Sequence, residues 1–494
     1  MDTAGSSRMN GSNGFYANSS FSSGNFRFKA AKPLLQSSQD YLKGELGMRS
    51  GALHNFGSIV SCVQGREMCA PGFVYRKKRN SPLDSLHLSH LACGGFSTPQ
   101  KAYFANSFIP NRRKVIAKLR TKTFCCQYTQ NGDALFTASQ DEKIRIFKRK
   151  GYRRKYEISA EILAPVVGWS ILDLVISPDS KHCVYSTWSD KCMFQCNLES
   201  PAENDERWSM LCINEDFDTE RFAFFSIKIS HDGAQLVGGA SDGNIYTYDR
   251  ERGEFYSKIA AHEDDVNSVC IGFDDHVFFS GSDDGISFAG HRDGITFIDV
   301  NDDGRYILTN SKDQTIKLWD IRRFSSEAAQ ERTKKSVSRQ FWDYRYEPVP
   351  RKLTYCEPLE DDGSVCTFKG SHLVLHTLIH ARFSPAYTGQ RYIYTGCARG
   401  SCVLYDILTG TTKAQLQGHQ AVVRECVWHP FENEIVTAAW DGVTALWRYD
   451  QRVRRNTNPE SDGGDLESED TTDEFYRKID PQLQRKKKRR RLCT

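Results

Sequence analysis

A histidine, a hydroxyl residue 18 positions later and an aspartate 22 positions later recur three times in this 494-residue chain. The sets are His262, Ser280 and Asp284; His291, Thr309 and Asp313; and His419, Thr437 and Asp441. Trp319 and Trp447 follow at His plus 28 in the second and third sets, but in the first set that place holds Gly290, already part of the next Gly-His pair. Such a ruler restricts the fold more tightly than composition can, because a unit that repeats must stack on its neighbours to bury its apolar face. The residue types suggest a polar chain: Asp accepts from His, His bonds the hydroxyl, and the hydroxyl accepts the indole N–H. A chain of this kind is stable in a core only when each member has its partner. The same three residue types build hydrolase triads, which are recognised by geometry. Three copies at one spacing, in a periodic all-β pattern, read instead as structural staples.

The repeat, with Gly-His early and Trp-Asp late, is the mark of an all-β WD40 β-propeller, whose blades are four-stranded antiparallel sheets. Degenerate copies fill in the other blades. They lie at 124–149 (Asn131-Gly132, Asp141, Phe147), 169–198 (Ser177-Pro178-Asp179, Asp190, Cys196 in place of Trp) and 222–250 (His231-Asp232-Gly233, Asp242, Tyr248-Asp249). A further copy runs from His372 to Tyr405-Asp406, with Arg399 in place of the turn aspartate. Period-2 alternation, as in Ile316-Lys317-Leu318-Trp319, marks strands, and Asp-Gly and Asn-Gly pairs mark the turns. Seven blades with the fourth truncated are therefore expected. An open ring would leave a bare strand edge, so the alternating segment Arg113–Leu119 is expected to pair outside the strand ending at Trp447 and close the circle.

Three regions follow: an N-terminal arm (1–105), the propeller (106–450) and a C-terminal tail (451–494). Residues 1–30, rich in Ser, Gly and Asn, read as disordered. Between 31 and 105 the residues at Ser38 and Ser81 look like starts of short helices, in an arm that reads as flexible, with docking of a partner as the lesser alternative. The sixteen cysteines lack paired CxxC spacing; even Cys192 and Cys196 sit inside a strand pattern, so buried reduced thiols are expected rather than a metal site. With no long apolar run and no leader peptide, the sequence reads as intracellular and soluble, in nucleus and cytoplasm. Residues 459–474 hold eight acids and no base, whereas Arg485, Lys486, Lys487, Lys488, Arg489, Arg490 and Arg491 run without interruption. The basic block reads as a nuclear-import signal in preference to a nucleic-acid contact.

No P-loop, Rossmann glycine pattern, zinc spacing or nucleophile elbow is present. The reading is a non-catalytic platform that needs no cofactor. One motif points to a partner: Trp319-Asp320-Ile321-Arg322-Arg323. Arginine at Trp plus 3 is absent after Tyr248, Tyr405 and Trp447, and a guanidinium there offers a fork for carboxylates and carbonyls. On the opposite, turn-bearing side, Lys312, Trp440 and Arg424 are candidate contacts for a bound protein.

The runs Gly294–Asp299 and Asn310–Ser326, with Trp342-Asp343-Tyr344-Arg345, His376–Ile379 and Trp428-His429-Pro430-Phe431, resemble the WD repeat-containing protein 23 family. This family is also called cullin-4-associated factor eleven, with the plant LEC14B proteins as relatives. The resemblance covers roughly residues 106–450. It implies a substrate receptor of a cullin-4 RING ubiquitin ligase, whose Trp-Asp-x-Arg box (here Trp319, Asp320, Arg322 and Arg323) contacts the damaged-DNA-binding-protein adaptor. It also implies protein substrates that include a stress-response basic-leucine-zipper transcription factor.

One departure stands out. The family places a second Trp-Asp-Arg-Arg box after the Ser280-Gly281-Ser282-Asp283-Asp284 turn, but here that turn runs through Ile286-Ser287-Phe288-Ala289 straight into Gly290-His291. Turn aspartates 284 and 313 lie 29 apart, against roughly 40–45 in an ordinary blade. The deficit reads as a skipped exon or faulty gene model rather than as a natural ring, and residues 262–288 are expected to pair poorly. The alternative function is a WD40 scaffold in a nuclear RNA-processing or chromatin complex.

Overall fold

The computed structural model describes residues 98–151, 155–188, 191–200, 207–213, 222–272, 275–284, 288–354 and 359–456. Six four-stranded antiparallel sheets, blades I to VI, stand around a ring: 123–163, 171–212, 224–260, 295–369, 381–417, and 423–448 completed by Arg112–Lys118. The expectation of seven blades with a truncated fourth is corrected to six. Between blades III and IV stands only a two-stranded hairpin, Val266–Ile271 paired with Phe278–Ser282. The chain goes on from its turn to His291 with too few residues to make two more strands. Within the hairpin the two strands do pair along their length, so the shortfall is in strand number.

The hairpin keeps the ring continuous, because its first strand packs between the innermost strands of blades III and IV. Neighbouring inner strands are stapled by side chains that accept backbone N–H groups. Cys126 N donates to Glu425 Oε2 (2.8 Å), Ile227 N to Asp173 Oδ2 (3.0 Å) and Phe383 N to Asp299 Oδ2 (2.7 Å). At the hairpin the same task falls to Ser268, whose Oγ accepts from Ile298 N at 3.0 Å. Each bond satisfies a buried donor that the twist of adjacent blades leaves outside the ladders.

Closure is made by Arg112–Lys118, which pairs with Val443–Arg448 in a register that includes Arg113 with Trp447 and Val115 with Ala445. The helix Thr98–Ser107 then rests against the turn of blade V, where Gly389 (φ 69°) lies so close to the Thr98 carbonyl that a Cβ would come within 2.6 Å.

The polar chains form as the ruler implies. His291 bonds Asp313 (Nδ1 to Oδ2, 2.9 Å) and Thr309 (Nε2 to Oγ1, 2.6 Å), and Trp319 Nε1 donates to Thr309 at 2.7 Å. In blade VI the set is His419, Asp441, Thr437 and Trp447, with Trp447 Nε1 donating to Thr437 at 2.9 Å. In the hairpin, His262 reaches Asp284 (2.9 Å) and Ser280 (2.8 Å). In blade V, Tyr405 replaces the missing aspartate, its hydroxyl 2.7 Å from His372 Nδ1. The turn aspartate expected at Asp190 lies outside the described residues. Among the described residues, reduced thiols hold at nine cysteines, eight of them buried, but Cys192 and Cys212 form a disulfide. They stand directly opposite each other on the third and fourth strands of blade II, with Cα atoms 4.0 Å apart.

Candidate protein-interaction site

The strand Thr315–Asp320 carries the turn aspartate Asp313 just before one end and the Trp319-Asp320 pair at the other. Six extended residues separate the two by roughly 20 Å, so the box and the turn-bearing face are opposite sides of the ring. Trp319 is buried as the last member of the polar chain, which fixes the backbone that follows.

Asp320 is buried too, and its carboxylate organises the next residues. Arg322 N donates to Oδ1 (3.1 Å), Arg322 Nε to Oδ1 (3.0 Å) and Arg322 Nη2 to Oδ2 (2.8 Å), while Arg305 adds a contact at 3.3 Å. The paired guanidinium holds the Asp320 carboxyl well below the usual carboxylate range. The Arg322 side chain is 60% exposed, so one edge of its fork is spent on Asp320 and the rest faces outward. Arg323 is exposed, its backbone N–H turned back to Asp320 O (2.9 Å), and Phe324 beside it is 76% exposed. The result is a rigid, cationic corner with an aromatic ring next to it.

Blade V lacks this corner. Asp406 occupies the place of Asp320, but Arg391, the counterpart of Arg305, binds it in a buried fork at 2.8–3.2 Å, and no arginine follows. The arginine on the rim is legible in the sequence; that the nearby aspartate orients it is visible only in the structure.

The turn-bearing face differs from expectation. Lys312 is buried and ion-paired with Asp283 (2.6 Å), with its ammonium 4.3 Å from the Tyr344 ring. Arg424 is also buried, donating to the Phe124 and Leu172 carbonyls at 2.7 Å each. Trp440 is half-buried against Phe124, with Lys122 over its ring at 4.2 Å. Lys312 and Arg424 thus hold the ring together from inside, and neither offers its charge at the surface.

What covers Lys312 is an insertion, residues 321–365, between the third and fourth strands of blade IV. It contains the helix Glu327–Val337, capped by Ser326 and tied to the loop before the hairpin by Lys334–Glu263 (2.6 Å). Beyond the helix it crosses the turn-bearing face, where Trp342 Nε1 donates to Asp293 Oδ2 at 2.7 Å. Tyr344 then packs with Leu172, Ala223, Phe225 and Leu378, residues drawn from blades II and III and from the segment leading into V. Arg345 clasps Asp343 (2.9 Å to each oxygen), the same local fork as Arg322 on Asp320. The signal was present, since Trp342-Asp343-Tyr344-Arg345 repeats the letters of the box. The basic run 485–491 lies outside the described residues.

The WD domain, G-beta repeat family matches at residues 253–286, 285–320 and 410–448. The chain is 43% identical over 475 residues to a DDB1- and CUL4-associated factor 11 homolog of Caenorhabditis elegans, covering 89% of this chain and 81% of that protein. It belongs to that family. A Caenorhabditis briggsae homolog of the same name is 40% identical over 414 residues, 78% of this chain and 74% of the relative. The LEC14B protein of Lithospermum erythrorhizon is 35% identical over 382 residues, 72% and 79% respectively. Family likeness therefore extends from animals to plants.

Proposed function

We propose that the chain is a non-catalytic substrate receptor of a cullin-4 RING ubiquitin ligase, docking the DDB1 adaptor through Asp320, Arg322, Arg323 and Phe324. The observation that carries this reading is the Asp320–Arg322 fork, an exposed guanidinium pre-set by two bonds at 2.8–3.0 Å. A cation whose rotamer is already fixed loses less entropy on binding a carboxylate or carbonyl. The names of the worm relatives support the partner. The opposite face would hold the substrate. Its anchors are the exposed aromatics Phe341 and Tyr346 of the insertion, with Trp169 and Trp188, in place of Lys312 and Arg424. A basic-leucine-zipper stress factor is the substrate that the resemblance supports, and the run 485–491 would carry the receptor between cytoplasm and nucleus.

Affinity purification of wild type beside Arg322→Ala tests the box. The variant should recover at least tenfold less adaptor while remaining folded, at a cost of about 1–3 kcal/mol for the partner that Asp320 loses, with Arg305 still in contact with that carboxylate. Unchanged recovery would reject the box; no adaptor from either protein would favour the scaffold reading.

A further inference from the structure

The strand Phe278–Ser282 pairs on one side with Val266–Ile271, and no described strand pairs with its other side. Every second N–H and C=O along that edge points away from the hairpin. Burial follows the missing pairing. Second strands in complete blades are buried along nearly their whole length, as in Ala134–Ser139 and Glu434–Ala439, whereas Phe278, Phe279 and Ser280 are each partly exposed. Val277 beside them is 48% exposed.

The hairpin lacks the outer two strands of a blade, and the cleft that this leaves between blades III and IV has apolar side chains on both sides. On blade III, Ile259 stands opposite Ile245 in the sheet; Ile245 packs against Val266 and Val269, so Ile259 faces the cleft as well, and it is 37% exposed. On the blade IV side, Phe288 lies between Trp319 (5.4 Å) and Phe324 (5.8 Å, stacked). The edge itself, Phe278-Phe279-Ser280-Gly281-Ser282, has no charge and no proline. Sheet edges that face water carry such devices to discourage pairing. This edge has the composition of a central strand.

We propose that the cleft is filled in cis by residues 57–65, which add a third strand to the hairpin. The segment Gly57-Ser58-Ile59-Val60-Ser61-Cys62-Val63-Gln64-Gly65 is an uncharged, β-branched run with glycine at both ends. Ile59 and Val63 would line one face and Val60 and Cys62 the other, and a strand between two apolar walls needs apolar residues on both. Reach is sufficient. The 32 residues from Arg66 to Ser97 span at most about 110 Å when extended. Thr98, where the described chain resumes, is anchored at blade V, with only blade IV between it and the cleft.

Strand addition is independent of adaptor docking, and hydrogen exchange reads it without any adaptor recovery. On the full chain, the outward amides of Phe278–Ser282 are followed with Glu434–Ala439 as the internal reference. In wild type those amides should exchange roughly a hundredfold more slowly than an open edge allows. Val60→Pro, which removes a ladder donor and cannot sit inside a paired strand, should abolish that slowing and leave the reference strand unchanged. A peptide of residues 55–67 added to the variant should restore it. Unprotected edge amides in wild type would overturn the proposal. So would protection that survives Val60→Pro, which, if it rises with protein concentration, would assign the edge to a second copy of the chain.

Discussion

At the scale of single residues, the hydroxyl of Thr309 shows what the ruler is for. It meets the Trp319 indole at 2.7 Å and the His291 ring at 2.6 Å, all three side chains being buried. Thr309→Val keeps the shape and removes the shared oxygen, leaving an indole N–H and a ring nitrogen without partners. Buried groups orphaned in this way cost about 1–3 kcal/mol each, so urea denaturation should show a loss of roughly 2–4 kcal/mol. A loss below about 0.5 kcal/mol, the range of an ordinary surface change, would mean that the chain of bonds does not stabilise the blade. These residues were legible because their spacing is set by strand and turn lengths, which a single chain records directly. The Asp320–Arg322 fork was only half legible: its arginine stands out by position, but the bond between neighbours is a matter of rotamer.

At the scale of elements, the insertion at 321–365 is the part that the sequence reading left undivided. Its core is a helix with a serine N-cap, Glu327 in the first turn and Lys334 and Lys335 in the last, a set of signals that favours a helix start and end. The ruler cannot see it, because the insertion falls between two strands of one repeat and leaves the His-to-Trp spacing intact. Its path over the turn-bearing face also explains why Lys312 is not exposed. The insertion is held at Trp342 by Asp293, whose carboxyl is pushed up to about 6 by burial. A carboxyl raised in the folded state contributes stability below its unfolded value near 3.9, and that contribution is lost as pH rises through about 6. Asp293→Asn keeps an acceptor for the indole and does not ionise. It should therefore gain on wild type by about 1 kcal/mol between about pH 5 and about pH 7.5, read from urea melts at the two pH values. A difference that stays constant with pH would show that Asp293 is not ionising in that window.

At the scale of the whole molecule, stability depends on whether the ring is closed, and two places decide that. One is the hairpin between blades III and IV. The deficit in spacing was legible there to the residue, but not how the ring would respond: the inner strand Val266–Ile271 stays in place while only the outer two strands are lost. The other is the closing strand Arg112–Lys118, which joins the chain's early and late parts through Val443–Arg448. Deleting residues 1–97 leaves that strand and the helix Thr98–Ser107 in place but removes the strand proposed for the hairpin, so the ring stays closed and the main melting transition should fall by only a few degrees. Deleting residues 1–118 removes the strand and exposes the edge of blade VI at Val443–Arg448, the strand on which Trp447 completes its polar chain. A bare, long edge invites pairing between molecules, so this shorter chain should melt roughly 10 °C lower or more and form oligomers on size exclusion. Equal melting of the two truncations would mean that blade VI is stable with three strands, and that closure by Arg112–Lys118 is dispensable to the ring.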